Sequence, residues 1–236
     1  MDKDQSRFQF LKADWLDLIM ANYAVDPISI KEYVPAGTEL DFHEGICYIS
    51  LVAFMFKNTK ILGLKIPYHI NFEEVNLRFY VKPINNPEER SVAFIKEIVP
   101  SKIIPIVANG FFKENYISLP MSHLINSEEV HYYWGENNKN SFSVKHGVKP
   151  DIPVAGSIEE FITEHYFGFT KNGDSTIKYY VTHPQWKVSV AEDYEIKVDF
   201  PKVYGDDFSF LNKMKPVNVC YAVGSEVSVS FPSKLL

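Results

Sequence analysis

The chain of 236 residues contains only two cysteines, Cys47 and Cys220. Each lies in an apolar, strand-like run, so both are read as buried core thiols and no disulfide framework is expected. Long hydrophobic runs are also missing. The longest, Ile49–Phe56, includes Ser50 and is far shorter than the ~20 apolar residues that cross a bilayer. Nor is there an excess of positive charge: 24 Lys and Arg stand against 30 Asp and Glu, a formal net charge of −6. The chain thus lacks the clustered basic footprint that neutralises nucleic-acid phosphates, and it has no basic amphipathic stretch for an anionic membrane. Neither nucleic acid nor membrane is expected as a partner. The amino-terminal stretch Met1–Arg7 is charged, mixed in sign and followed by no sustained apolar segment. It does not read as a secretory signal, and a cytoplasmic location is expected.

Motifs that announce familiar chemistries are absent as well. There is no His-Glu-x-x-His, no Cys-x-x-Cys and no histidine pair at ligand spacing on one helix, so no metal is predicted. There is no Gly-x-Ser-x-Gly elbow, no Walker-type Gly–Lys–Ser/Thr loop and no Gly-x-Gly-x-x-Gly after a strand. These absences count against α/β-hydrolase, P-loop and dinucleotide-binding chemistry, and no cofactor is implied.

What is present is material for a large β domain. Apolar residues make up 46% of the chain and aromatics 15%, enough for a substantial core. With no repeat and no long polar linker, residues 1–236 are read as one domain, with 1–12 a loosely ordered leading segment. β-Branched and aromatic runs recur at Cys47–Phe56, Phe72–Val81, Ser91–Val99, Tyr116–Leu124, Thr176–Thr182 and Glu226–Phe231, separated by turn residues. Asn172-Gly173 marks a hairpin between Tyr166–Thr170 and Thr176–His183. The polar stretch Trp134–Asn140, flanked by Val130–Tyr133 and Phe142–Val144, reads as a long hairpin loop.

Three short helices are expected. Asp26-Pro27 supplies an N-cap and a preset first residue for Pro27–Val34, which Pro35 ends. Ser157-Ile158-Glu159-Glu160 is a capping box opening a helix toward His165. Ser101–Phe112 accommodates Pro105 only because the first helical N–H groups have no intrahelical partner. Asp14–Val25 fits neither the helical nor the strand period.

The segment Phe72–Val81 carries the most functional information. In an extended strand Glu74, Asn76, Arg78 and Tyr80 share one face, while Val75, Leu77, Phe79 and Val81 share the other. Such a strand either turns its polar face to water or lines a semi-buried cavity. An acid, an amide, a guanidinium and a phenol can satisfy one another there or bind a ligand, and the planar fork of Arg78 suits a carboxylate. A second constellation comprises Glu164, His165 and Tyr166 at a helix end, with His183 and Trp186 after a strand. A carboxylate and two imidazoles suffice for acid–base work near neutral pH if they converge.

Several segments together resemble one family: Trp15, Asn22-Tyr23, Val34-Pro35 and Leu40-Asp41; Glu74-Val75-Asn76-Leu77-Arg78-Phe79-Tyr80-Val81; Phe161–Tyr166; and His183-Pro184 with Trp186. The chain is similar to the YqjF-like bacterial proteins of the acetoacetate-decarboxylase-like superfamily, from about Trp15 to the final strand at Gly224–Pro232. The resemblance implies a mostly β fold: a closed, largely antiparallel β-barrel with a few short peripheral helices. It implies a strand for Asp14–Val25 and a pocket in the barrel interior, with Glu74, Asn76, Arg78, Tyr80, Glu164 and His183 as substrate-binding candidates for a small organic carboxylate or carbonyl compound. Homo-oligomers are compatible with it. Acetoacetate decarboxylases use a lysine Schiff base on a Lys-Lys motif. This chain has no Lys-Lys pair; its corresponding stretch, Ala108–Tyr116, brings Tyr116 near the nucleophile position and offers Lys113 only as an outlying amine. Schiff-base decarboxylation is therefore disfavoured, which leaves ligand binding, Glu/His acid–base catalysis, or a purely structural network.

Overall fold

A computed structural model describes residues 9–113, 115–147 and 149–235. In chain order the strands are β1 (Gln9–Val25), β2 (Thr38–Leu40), β3 (Cys47–Ile61), β4 (Phe72–Pro83), β5 (Ser91–Val99), β6 (Tyr116–Ser118), β7 (Met121–Ile125), β8 (Glu129–Trp134), β9 (Asn140–Lys145), β10 (Phe167–Asn172), β11 (Ser175–Thr182), β12 (Val188–Val190), β13 (Asp193–Lys197), β14 (Asn218–Ser230) and β15 (Ser233–Lys234). Three short α-helices accompany them: α1 (Ile103–Phe111), α2 (Ile158–Thr163) and α3 (Phe200–Tyr204). None is long and apolar enough to cross a membrane. Of the leading segment expected over 1–12, residues 1–8 lie outside the described residues, and Gln9–Lys12 already belong to β1.

The main sheet runs β14-β1-β3-β4-β5-β10-β11, and a further β11–β14 pairing joins Val181 to Val229 and so closes a hydrogen-bonded ring. The expected, largely antiparallel arrangement includes two parallel pairings. β5 pairs in parallel with both β10 and β6, so the sheet is mixed. A separate antiparallel sheet of four strands, β13-β9-β8-β7, covers one side. Its β8–β9 hairpin is the one expected around Trp134–Asn140.

The stretch Tyr116–Leu124 is not one strand but two. Pro120 cannot donate to a ladder, and its carbonyl instead takes the Gly135 N–H at 2.9 Å. The chain breaks there, so that β6 stays in the main sheet while β7 enters the small one. The expected helix over Pro27–Val34 resolves into two 3-10 turns, Pro27–Ser29 and Lys31–Tyr33. The first is capped as expected by Asp26, whose carboxylate accepts from the Ile28 N–H at 2.9 Å. α2 is capped by Ser157, which accepts from the Glu160 N–H at 3.2 Å, while Glu160 reaches back to the Gly156 N–H at 2.7 Å. It stops at Thr163, short of His165.

β1 shows why Asp14–Val25 fitted no period. Its pairing with β3 slips between Leu16 and Ile19, and Asp17 there has φ 55°. A bulge inserts an extra residue and reverses the in–out parity of everything beyond it. From Leu18 to Tyr23 every residue is buried, so alternation of polarity disappears as well.

The core has two main parts, on opposite faces of the β1–β3–β4–β5 sheet. On one, Val75, Leu77 and Phe79 of β4 pack with Val130, Tyr132 and Trp134 of β8 and Phe142 of β9. On the other, Tyr80 and Phe72 join Phe54, Phe56, Phe161 and Trp186. Cys47 and Cys220 are both free and buried.

Candidate functional site

β4 is buried on both faces. Glu74 and Asn76 are 3% and 2% exposed and Arg78 is 9% exposed, so the polar face does not look into water. It lines a cavity of about 310 Å³. The remaining walls come from β1 (Phe10, Trp15), β3 (Phe54, Phe56), the loop before β4 (Ile66, His69), α1 (Ile104, Ala108) and Tyr116, Tyr179 and Val229.

The polar wall is only partly satisfied. Asn76 Nδ2 donates to Glu74 Oε1 at 3.0 Å, and the Tyr116 hydroxyl donates to Glu74 Oε2 at 3.1 Å. Asn76 Oδ1 has no hydrogen-bond partner. Arg78 Nη2 donates to the Ile162 carbonyl at 3.0 Å, while its Nε has no partner. α2 thus anchors the guanidinium by a main-chain oxygen, and Glu74 and Arg78 do not hydrogen-bond to each other. Burial pushes the Glu74 carboxyl up to about 7, against the opposing pull of the Asn76 and Tyr116 hydrogen bonds and the Arg78 charge. A carboxyl poised there can give or take a proton near neutrality.

β5 brings one more acid to this wall by a change of parity. Arg78 lies opposite Phe94 and Leu77 opposite Lys96, with Ile95 bulged between them; beyond it Asn76 faces Glu97. Strict alternation from Val92 and Phe94 would have put Lys96 on the cavity side. The bulge sends Lys96 to the opposite face, where its ammonium donates to the Val203 carbonyl at 2.6 Å, and places Glu97 on the cavity. Among the described residues no lysine lines the cavity. Lys113 is exposed, with φ 57°.

The other predicted residues do not reach this space. The Tyr80 hydroxyl shares a hydrogen bond of 2.7 Å with Ser50, which donates to Asn22 Oδ1 at 2.5 Å; the Tyr80 ring lies 4.7 Å from that of His165. Glu164 accepts from the Tyr166 hydroxyl. The His183 ring stacks on Tyr166 at 4.8 Å and on Trp186 at 4.2 Å, with Nδ1 2.9 Å from the Pro184 carbonyl oxygen. Burial lowers the His183 pKa, with the Pro184 carbonyl and Glu164 opposing. Glu164 and His183 do converge, but off the cavity wall. His165, buried with neither ring nitrogen hydrogen-bonded, is held neutral by burial and by the Arg78 and Arg90 charges. Tyr116, Glu97, His69 and Trp15 were not named as cavity residues from sequence. Tyr116 carried a signal as the residue near the nucleophile position of the resembled family, and Trp15 as one of the residues that carry the resemblance. Among the described residues no cluster of three or more His, Cys, Asp or Glu side chains is arranged to hold a metal ion.

The sequence model of the family DUF2071, described as "Uncharacterized conserved protein (COG2071)", matches residues 12–226. The chain belongs to this family. It is 25% identical over 187 residues to the uncharacterized protein YqjF of Bacillus subtilis (strain 168), covering 77% of this chain and 76% of that protein. Solved structures share the fold at low identity. Acetoacetate decarboxylase from Legionella pneumophila matches with a TM-score of 0.68 and 11% identity, covering 96% of this chain and 87% of the other. The enduracididine biosynthesis enzyme MppR complexed with pyruvate matches at 0.65 and 12%, covering 99% and 93%. An acetoacetate decarboxylase-like enzyme from Sphingomonas wittichii RW1 matches at 0.65 and 11%, covering 96% and 93%. The fold of this DUF2071 chain is therefore acetoacetate-decarboxylase-like.

Proposed function

We propose that the cavity binds a small organic molecule bearing a carboxylate or carbonyl group, with Arg78 as the anchor and Asn76 and Glu74 completing the polar wall. The observation that carries this reading is a buried guanidinium on a cavity wall whose Nε has no partner and which pairs with no carboxylate among the described residues. A buried N–H of a guanidinium with no acceptor carries an uncompensated desolvation cost, and a bound carboxylate offsets it with charge-assisted hydrogen bonds. The likeness in fold to an enzyme solved with pyruvate supports the same ligand class. In this reading the hydrogen-bonded ring is a barrel and the cavity its interior, where small barrels hold one ligand.

A purely structural network would need Glu74 and Arg78 bonded to each other and the space filled; the first is not met, and a cavity of about 310 Å³ remains. Turnover is a second reading favoured by one observation, the Glu74 carboxyl at about 7 beside the Tyr116 hydroxyl. That pair, rather than Glu164 and His183, would then serve as acid and base. The test is a thermal-shift screen of short carboxylates, keto acids and their amides on wild type and Arg78→Ala. Carboxylates should raise the melting temperature of the wild type alone. Equal shifts in both proteins, or none with any acid, would refute the reading.

A further inference from the structure

The cavity is amphipathic in a way that a short keto acid does not use. Its carboxylates and guanidinium gather on neighbouring strands, Glu74 and Arg78 from β4 and Glu97 from β5. Beyond Glu74 on the same face of the sheet lies an aromatic shelf, with Phe72 two residues along β4 and Phe56 paired with it on β3. The Trp15 ring lies 5.6 Å from that of Phe56, which stacks on Phe72 at 4.6 Å, and Phe10 meets Phe112 edge-on at 5.1 Å. At about 30 Å³ per water in the liquid, a cavity of about 310 Å³ equals roughly ten waters. A molecule the size of pyruvate displaces about three or four of these, and would leave the aromatic shelf facing a void or poorly bonded water.

The approach to the cavity has the same character. Ile66 and Ile103 both line it, yet they remain 37% and 54% exposed, and their neighbours Leu64 and Tyr68 are 68% and 97% exposed. The loop before β4 is tied to the start of α1 by His69 Nε2 and Ser101 Oγ at 2.6 Å, which joins the two segments that bring Ile66 and Ile103 to the cavity. Grouped apolar residues kept in water mark a place where apolar matter is received.

We infer that the ligand is a monocarboxylic acid with an apolar tail, aromatic or of medium chain length, bound with its carboxylate on Arg78 and its tail along the Trp15–Phe56–Phe72 shelf toward Ile66 and Ile103. This rests on the carboxylate reading above and adds what it leaves open, the part of the molecule away from the charge. Burial of each added methylene on the shelf tightens binding by roughly three- to fourfold until the space is filled.

Calorimetric titration of the full chain with pyruvate, butyrate, hexanoate, octanoate and 3-phenylpropionate at one pH tests it. Affinity should climb with tail length, and octanoate or phenylpropionate should exceed pyruvate by at least tenfold. Ala108→Phe, which narrows the cavity from α1, should move the best length toward shorter acids; its melting temperature without ligand reports whether it is folded, and the wild-type series stands without it. Pyruvate binding as tightly as octanoate, with both dependent on Arg78, would overturn the tail assignment and leave the carboxylate reading intact. Failure of every acid to bind the wild type would overturn both.

Discussion

The Tyr116 hydroxyl donates to Glu74 Oε2 along the cavity wall at 3.1 Å. It is one of the two hydrogen bonds that hold the Glu74 pKa down against burial. Its removal in Tyr116→Phe should therefore raise the Glu74 pKa above about 7. The carboxyl stretch followed by infrared difference spectroscopy against pH would report this, and a midpoint that stayed in place or fell would contradict the assignment.

Glu74 also links stability to pH. Its folded-state pKa of about 7 lies above the ordinary value of 4.5, so the folded protein binds this proton more tightly than the unfolded chain. The resulting stabilisation is fully present below about 4.5 and is lost as pH rises toward and through 7, a loss on the order of 3 kcal/mol. Glu74→Gln cannot titrate. Urea denaturation at pH 5 and pH 8 should show the wild type losing stability relative to Glu74→Gln at the higher pH; parallel behaviour would argue against the raised pKa.

The guanidinium of Arg78 depends on a helix capped by one hydroxyl. Ser157 caps α2, and α2 supplies the Ile162 carbonyl that Arg78 holds. Ser157→Ala should cost about 1 kcal/mol of stability and also weaken carboxylate binding, because the carbonyl loses its fixed position. Denaturation midpoints and titration of the same ligand give the two readouts. Loss of stability with unchanged affinity would mean that α2 does not position Arg78.

Gly224 in β14 lies opposite Leu16 with φ 81°, and a Cβ there would come 1.9 Å from the Trp15 carbonyl oxygen. Gly224→Ala adds left-handed strain to a clash with main chain, so a loss above about 2 kcal/mol is expected in denaturant melts. The clash is with the main chain of Trp15, which lines the cavity, and ligand binding should weaken with it. A variant as stable as the wild type would show that β1 can shift freely.

Much of the fold was legible in local chemistry. Asn172-Gly173 located the β10–β11 hairpin, with Asn172 opposite Ser175 and Gly173 at φ 60°, and the capping residues Asp26 and Ser157 located their turns. The site was legible as a polar face on β4 but not as a constellation. Bulges near Asp17 and Ile95 exchange the faces of everything beyond them, and no alternation rule reveals them in advance. The convergence of Glu164 with His183 away from the cavity follows from where α2 ends and β11 meets β14, both set by tertiary packing. Tyr80, on the same face as Glu74, is withdrawn by its hydrogen bond with Ser50 on β3.

The bulge at Ile95 also bears on how such a cavity could change its chemistry. Because it decides whether Lys96 or Glu97 faces Asn76, the character of that wall is written in the register of a strand rather than in the identity of its residues. Pairing β5 without that bulge, at unchanged length, would bring the Lys96 amine to the wall in place of the Glu97 carboxylate without substituting a side chain. An acidic wall is in this way exchanged for an amine-bearing one by a one-residue slip of register, while the residues around it keep their identities.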